Sequence, residues 1–191
     1  MNRRDVRAVP VDDKMAVTIK KVGVIGSGQM GNGIAHVAAL AGFDVVLNDV
    51  ADERLKSAMA TINGHLSRQV AKQTITEDAR KKALSRITST ETLDGLADCD
   101  LVIETATEKE EVKRKIFSDV CGSLKPEAIL ATNTSSISIT RLASSTDRPE
   151  RFIGIHFMNP VPLMELVELI RGIATDDGTF ESSKAFVIKL G

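Results

Sequence analysis

Apolar residues recur along the chain in two alternating rhythms. The run 21–25 (Lys21, Val22, Gly23, Val24, Ile25) predicts a strand, after which Met30, Ile34, Val37, Ala38 and Ala41 fall at helical spacing until Gly42 stops them. The run 43–48 predicts a second strand, and Leu55, Met59, Ile62, Leu66 and Val70 mark one face of a long amphipathic helix. A further helix over 76–85 turns this segment into a long helical hairpin after the second strand. Leu101, Val102 and Ile103, and then the run 128–132, predict two more strands around a charged helix over 110–124. Continuous apolar strands alternating with helices specify an α/β fold, a doubly wound, mostly parallel sheet covered on both faces.

The last third of the chain breaks this rhythm. The runs 152–157 and 164–170 both predict strands, but only Met158, Asn159, Pro160, Val161, Pro162 and Leu163 lie between them. So short a link cannot hold a parallel crossover, so the two form an antiparallel pair. With the turn centred on Pro162, residues equidistant from it face each other. His156 then lies opposite Glu168, and Glu165 points to the other face. A final helix is predicted over 179–190.

Composition changes this picture little. With 191 residues, 25 basic against 26 acidic side chains and a net charge of -1, the chain has no basic block to hold nucleic acid or an anionic membrane. No apolar run approaches the ~20 residues of a membrane span. Cys99 and Cys121 lack the spacing of a zinc site or a disulfide framework, which predicts two reduced, packing thiols, a cytoplasmic setting and no metal. Residues 1–17 read as a loose polar extension whose Asp5, Asp12 and Asp13 argue against an organelle leader, and 18–191 read as one domain.

The chemistry begins at Gly26-Ser27-Gly28-Gln29-Met30-Gly31, a G-x-G-x-x-G directly after a strand and opening a helix. In that context Gly26 permits a tight turn, Gly28 lets a pyrophosphate approach the backbone, and Gly31 lets helix and strand pack closely. The free amides of the helix N-terminus, from Gln29 and Met30 on, then meet the anion. Asp49 ends the second strand, where a carboxylate bonds the adenine ribose hydroxyls and repels a 2′-phosphate. NAD is therefore favoured, while the nearby Arg54 keeps NADP open. The alternative is a glycine turn without a ligand.

His156 and Glu168 are polar residues in otherwise apolar runs. A carboxylate beside an imidazole fixes its tautomer and stabilises its protonated form, as a base that removes a hydroxyl proton requires. The same pair could instead fill a polar gap in a core. Asn133, Thr134, Ser135 and Ser136 follow a strand at the end where ligands gather in open α/β sheets, and they are equally suited to capping a helix. His36 and His65 sit in helical segments with no matched partner.

Four segments, GVIGSGQMGNGIAHVAALAGFDVVLND, DCDLVIETATE, ATNTSSISIT and GIHFMNPVPLMELVELIRG, in this order closely resemble the NAD-binding domain of L-3-hydroxyacyl-CoA dehydrogenases, most nearly the bacterial 3-hydroxybutyryl-CoA members. The resemblance implies a Rossmann-type domain that oxidises a 3-hydroxyacyl-CoA reversibly with NAD. By it His156 is the general base, Glu168 orients its ring, and Ser135 bonds the reacting oxygen. It also places Glu108, Lys113 and Asn133 along the nicotinamide, and Asn159 and, on the hairpin, Lys72 on the acyl-CoA side. The family continues into an all-helical dimerisation domain that the sequence given does not contain. The expectation is a homodimeric parent enzyme and an isolated domain that binds NAD but turns over poorly. A sugar-acid dehydrogenase of the gulonate type and a non-catalytic NAD-binding module are the alternatives.

Overall fold

The computed structural model describes residues 16–191, so the predicted extension lies almost wholly outside the described residues. Of it, Val17 is half-buried and donates its N–H to Ser182 Oγ at 2.7 Å, which ties that residue to the domain.

Seven strands form one sheet. Strand β1 (Lys21–Ile25) leads through α1 (Gln29–Leu40) to β2 (Asp44–Asn48), then through α2 (Asp52–Ala71) and α3 (Glu77–Ser85) to β3 (Ile87–Thr90). The second half runs β4 (Leu101–Glu104), α4 (Glu110–Cys121), β5 (Ile129–Thr132), α5 (Ile139–Ala143), β6 (Phe152–Phe157), β7 (Val167–Arg171) and α6 (Asp177–Leu190). The spatial order is β3-β2-β1-β4-β5-β6-β7, all parallel except β7, which pairs antiparallel with β6. The order reverses between β1 and β4, and a crevice opens at such a point beyond the carboxyl ends of the strands.

Period-two alternation divides the strand residues between two cores. Val22, Val24, Val45, Leu47, Leu101, Ile103, Ile153 and Ile155 face α1, α2 and α6. Ile25, Val46, Val102, Leu130 and Phe152 face α4 and α5. Each core has an aromatic contact, Phe43 with Phe186 at 5.0 Å and Phe117 with Phe152 at 4.8 Å between ring centroids. Cys99 and Cys121 are both free and buried, and burial pushes the Cys99 thiol up to about 12, so it stays unreactive.

α6 begins at Asp177, two residues before the predicted start, and three other elements depart further from the sequence reading. β3 was not foreseen, because of Ile87, Thr88, Ser89 and Thr90 only Ile87 is buried on this edge strand. β7 begins at Val167 rather than 164. Met164 and Leu166, whose alternation suggested a strand, lie before it and are 44% and 58% exposed. α4 ends at Cys121 rather than 124.

The tightest packing lies at the first turn. A Cβ on Gly31 would stand 1.8 Å from the carbonyl oxygen of Gly26, and Gly26 itself has φ +95°. Gly31→Ala must therefore push α1 off β1, with an expected loss of ~2 kcal/mol or more in chemical denaturation. An unchanged midpoint would contradict the close approach.

The starts of β1 and β4 are joined by Asp100, which accepts the N–H groups of Lys20 and Lys21 at 2.7 and 2.8 Å and the Lys125 ammonium at 2.6 Å. Burial pushes its carboxyl up, but the Lys125 bond and the two amides together outweigh burial and leave it below the ordinary range. A carboxylate lowered on folding stabilises fully above its unfolded value of ~3.9 and loses that contribution as pH falls through the folded value. Asp100→Asn should cost about 1 kcal/mol at pH 6, and the gap to wild type should narrow toward pH 3 in urea titrations. A gap that widens on acidification would refute this.

Candidate active site

The switch between β1 and β4 opens a cleft of about 960 Å³. Its floor is the glycine turn. Gly28 caps α1 with no side-chain hydrogen bond, so the first amides of the helix have no side-chain cap. A Cβ on Gly28 would meet nothing within 4 Å, the open space that a pyrophosphate needs above this backbone. Gly26, Gly28 and Gln29 line the cleft, whereas Gly31 is consumed in packing.

Asp49 is buried at the end of the second strand. Its Oδ2 accepts the N–H of Ser27 at 2.9 Å and the Ser27 hydroxyl at 2.8 Å, which fixes the turn against β2. Its Oδ1 lies 3.6 Å from the largely exposed Arg54 guanidinium, and both residues line the cleft. This carboxylate can thus brace the turn with one oxygen and meet ribose hydroxyls with the other. The turn, the uncapped helix and the acid fit a dinucleotide.

A smaller cleft of about 370 Å³ lies farther along the sheet edge and shares Asn159 with the first. It gathers Met30, Glu108, Asn133, Ser135 and His156. The antiparallel pair has the expected register, with His156 opposite Glu168, and His156 Nδ1 stands 2.8 Å from Glu168 Oε2. The imidazole is 21% exposed and the carboxylate 49%, so the pair opens to solvent rather than filling a core gap. Asn133 is buried, and its Oδ1 accepts the N–H of Phe157 at 2.8 Å, which extends the β5–β6 ladder and holds the strand end that carries His156.

Two expected site residues stand elsewhere. Lys113 does not line either cleft, because its ammonium is turned inward to Glu104 Oε2 at 2.6 Å and is 1% exposed. Lys72 lies in the exposed turn between α2 and α3, outside the lining of both clefts. Sequence reasoning passed over Glu104, the buried acid that ends β4, and Thr105, whose hydroxyl donates to the carbonyls of Ile25 and Gly26 at 3.0 Å each. The available signal for Glu104 was the one used for Asp49, an acid closing an apolar strand. His36 is buried with Nε2 3.0 Å from Gln69 Oε1, and burial lowers its pKa, so it packs as a neutral ring. Among the described residues no group of three or more His, Cys, Asp or Glu could hold a metal, and no helix is long and apolar enough to cross a membrane.

Comparison with known proteins identifies relatives of the whole domain. A 3-hydroxybutyryl-CoA dehydrogenase of Bradyrhizobium diazoefficiens is 80% identical over 93% of this chain, which covers 60% of that protein. A probable 3-hydroxybutyryl-CoA dehydrogenase of Deinococcus radiodurans is 50% identical over 90% of the chain and 61% of its own length. The crystal structure of (S)-3-hydroxybutyryl-CoA dehydrogenase from Ralstonia eutropha superposes with a TM-score of 0.89 at 45% identity, over 91% of this chain and 62% of that one. The chain thus spans about 60% of the length of these relatives. The family model described as the NAD binding domain of 3-hydroxyacyl-CoA dehydrogenase matches residues 21–191, and the chain belongs to that family.

Proposed function

We propose that this chain is the NAD-holding domain of an enzyme that reversibly oxidises a (S)-3-hydroxyacyl-CoA, foremost 3-hydroxybutyryl-CoA, to the 3-oxoacyl-CoA. The observation that carries the reading is the His156–Glu168 pair at 2.8 Å, with His156 lining a cleft that shares Asn159 with the cleft over the glycine turn. A non-catalytic module has no use for a braced imidazole there. The names of the relatives support the substrate class.

Gly28 and the first amides of α1 would hold the pyrophosphate, with Asp49 at the adenine ribose and Asn133 and Glu108 beside the nicotinamide. When bound, NAD+ supplies an acceptor for the hydride that leaves C3 of the substrate. Glu168 accepts a hydrogen bond from the Nδ1–H of His156, which leaves Nε2 with the lone pair that takes the hydroxyl proton. The same carboxylate offsets the charge that the imidazole gains, so the proton is accepted without an isolated cation at the cleft. Ser135, exposed in the smaller cleft, donates to the substrate oxygen as it becomes a carbonyl, and Asn159 borders both the cofactor and the acyl-CoA side. Assembly of the parent enzyme as a homodimer belongs to the same reading and is supported by the family resemblance.

Two measurements test it. In protein of the relatives' full length, His156→Gln should lower kcat for acetoacetyl-CoA reduction by a factor of about 10²–10⁴, the usual worth of a general base, with NAD+ affinity within about twofold of wild type. Undiminished turnover would remove His156 from the reaction. In the 191-residue chain, Gly28→Ala places a methyl in the open space above the turn and should weaken NAD+ binding at least about tenfold by calorimetry, roughly 1.4 kcal/mol, with an unchanged melting temperature. Equal affinity would place the cofactor elsewhere.

A further inference from the structure

The backbone around Asp49 is fixed before its carboxylate is. The Asp49 N–H donates to the carbonyl of Thr90 at 3.3 Å, and the carbonyl of Asn48 accepts the N–H of Gly26 at 2.8 Å. The Asn48 side chain adds bonds to the carbonyls of Thr90 and Thr92 at 3.1 and 3.2 Å. What these contacts leave undetermined is the side-chain torsions of Asp49, which have several staggered settings. Which oxygen faces the cleft, and where, depends on the setting taken.

Ser27 decides it. Its N–H and its hydroxyl both donate to Asp49 Oδ2, at 2.9 and 2.8 Å, between two residues that are each buried. The N–H bond is open to almost any residue type at position 27, but the second donor needs a hydroxyl. Two donors from one residue on a single charged oxygen hold the carboxylate plane as well as its position. Oδ1 accepts no hydrogen bond from the described residues and is the oxygen left for a ligand. Arg54 stands 3.6 Å from it, and its 69% exposed side chain can follow the carboxylate if that moves. With the hydroxyl gone, one bond to Oδ2 remains, the group can turn about it, and the guanidinium draws it aside.

The two dinucleotides ask opposite things of this carboxylate. A ribose diol donates hydrogen bonds and needs an acceptor held in one place, whereas a 2′-phosphate is repelled by an anion held there and favoured by a free or loosely paired arginine. We infer that Ser27 is a positioning residue whose hydroxyl sets the choice between NAD and NADP, by locking Asp49 with Oδ1 toward the adenine ribose and away from Arg54. It acts through Asp49. The inference rests on the NAD reading proposed above and goes beyond it, since it assigns the discrimination to a side chain inside the turn, at a position that the G-x-G-x-x-G pattern leaves open.

Two ligands that differ only in the 2′-phosphate test this. NAD+ and NADP+ carry the same pyrophosphate, so a disturbed glycine turn weakens both alike, and only a change at the adenine ribose moves their ratio. In the 191-residue chain, calorimetry of Ser27→Ala should show NAD+ binding weakened about tenfold, the scale of one lost hydrogen bond to a charged group, with NADP+ binding within about twofold of wild type. The preference for NAD+ then falls at least about fivefold. Should the alanine variant not fold, Ser27→Gly removes the same hydroxyl, keeps the N–H and is read the same way. A preference equal to or above that of wild type, whether or not both affinities fall, overturns the inference and leaves the NAD reading standing. A wild-type chain that binds neither dinucleotide overturns that reading as well, so the two failures are distinguishable.

Discussion

The domain depends on one close contact, the passage of α1 over the glycine turn at Gly31. With a Cβ at that position only 1.8 Å from the Gly26 carbonyl, the helix can start where it does only because there is no side chain to exclude. That start fixes the uncapped amides at the mouth of the switch between β1 and β4. It also sets Met30 into the smaller cleft and leaves Asn32 and Gly33 in the wall of the larger one. A backbone approach this short is a steric constraint, so it is not adjustable by small shifts in neighbouring side chains.

From that point the cleft is built by strand ends. Parallel strands deliver Ile25, Asn48, Glu104 and Thr132 to one edge, and the polar groups there hold the loops that follow. The antiparallel pair serves a different purpose. It brings a histidine and a glutamate twelve residues apart in the chain into direct contact, and Asn133 anchors the same strand end from β5. The proposed base is therefore placed by sheet register, which is rigid, and not by a loop conformation.

The fold was legible where local pattern and burial coincide. The apolar runs of β1, β2, β4 and β5 are buried on both faces, so composition alone reveals them, and the short proline-bearing link forced β6 and β7 into the register that joins His156 to Glu168. β3 escaped because an edge strand with one buried side chain carries no apolar run. Met164 and Leu166 misled because apolar alternation does not distinguish a strand from an exposed segment before one. Lys113 was placed along the nicotinamide by the family resemblance, since no local pattern tells which way a lysine on a charged helix turns. Its inward direction is set by Glu104, nine residues earlier and on another element, and only the assembled sheet brings the two together.

The central claim is that the nicotinamide end of the cofactor lies beside His156. Proton NMR of the imidazole C2–H signals tests it directly, since the chain has only three histidines to assign. The account predicts that the His156 signal shifts on saturation with NAD+ and stays in place with ADP-ribose, while that of the buried His36 moves with neither. A His156 signal unmoved by saturating NAD+, or moved equally by both ligands, would contradict it.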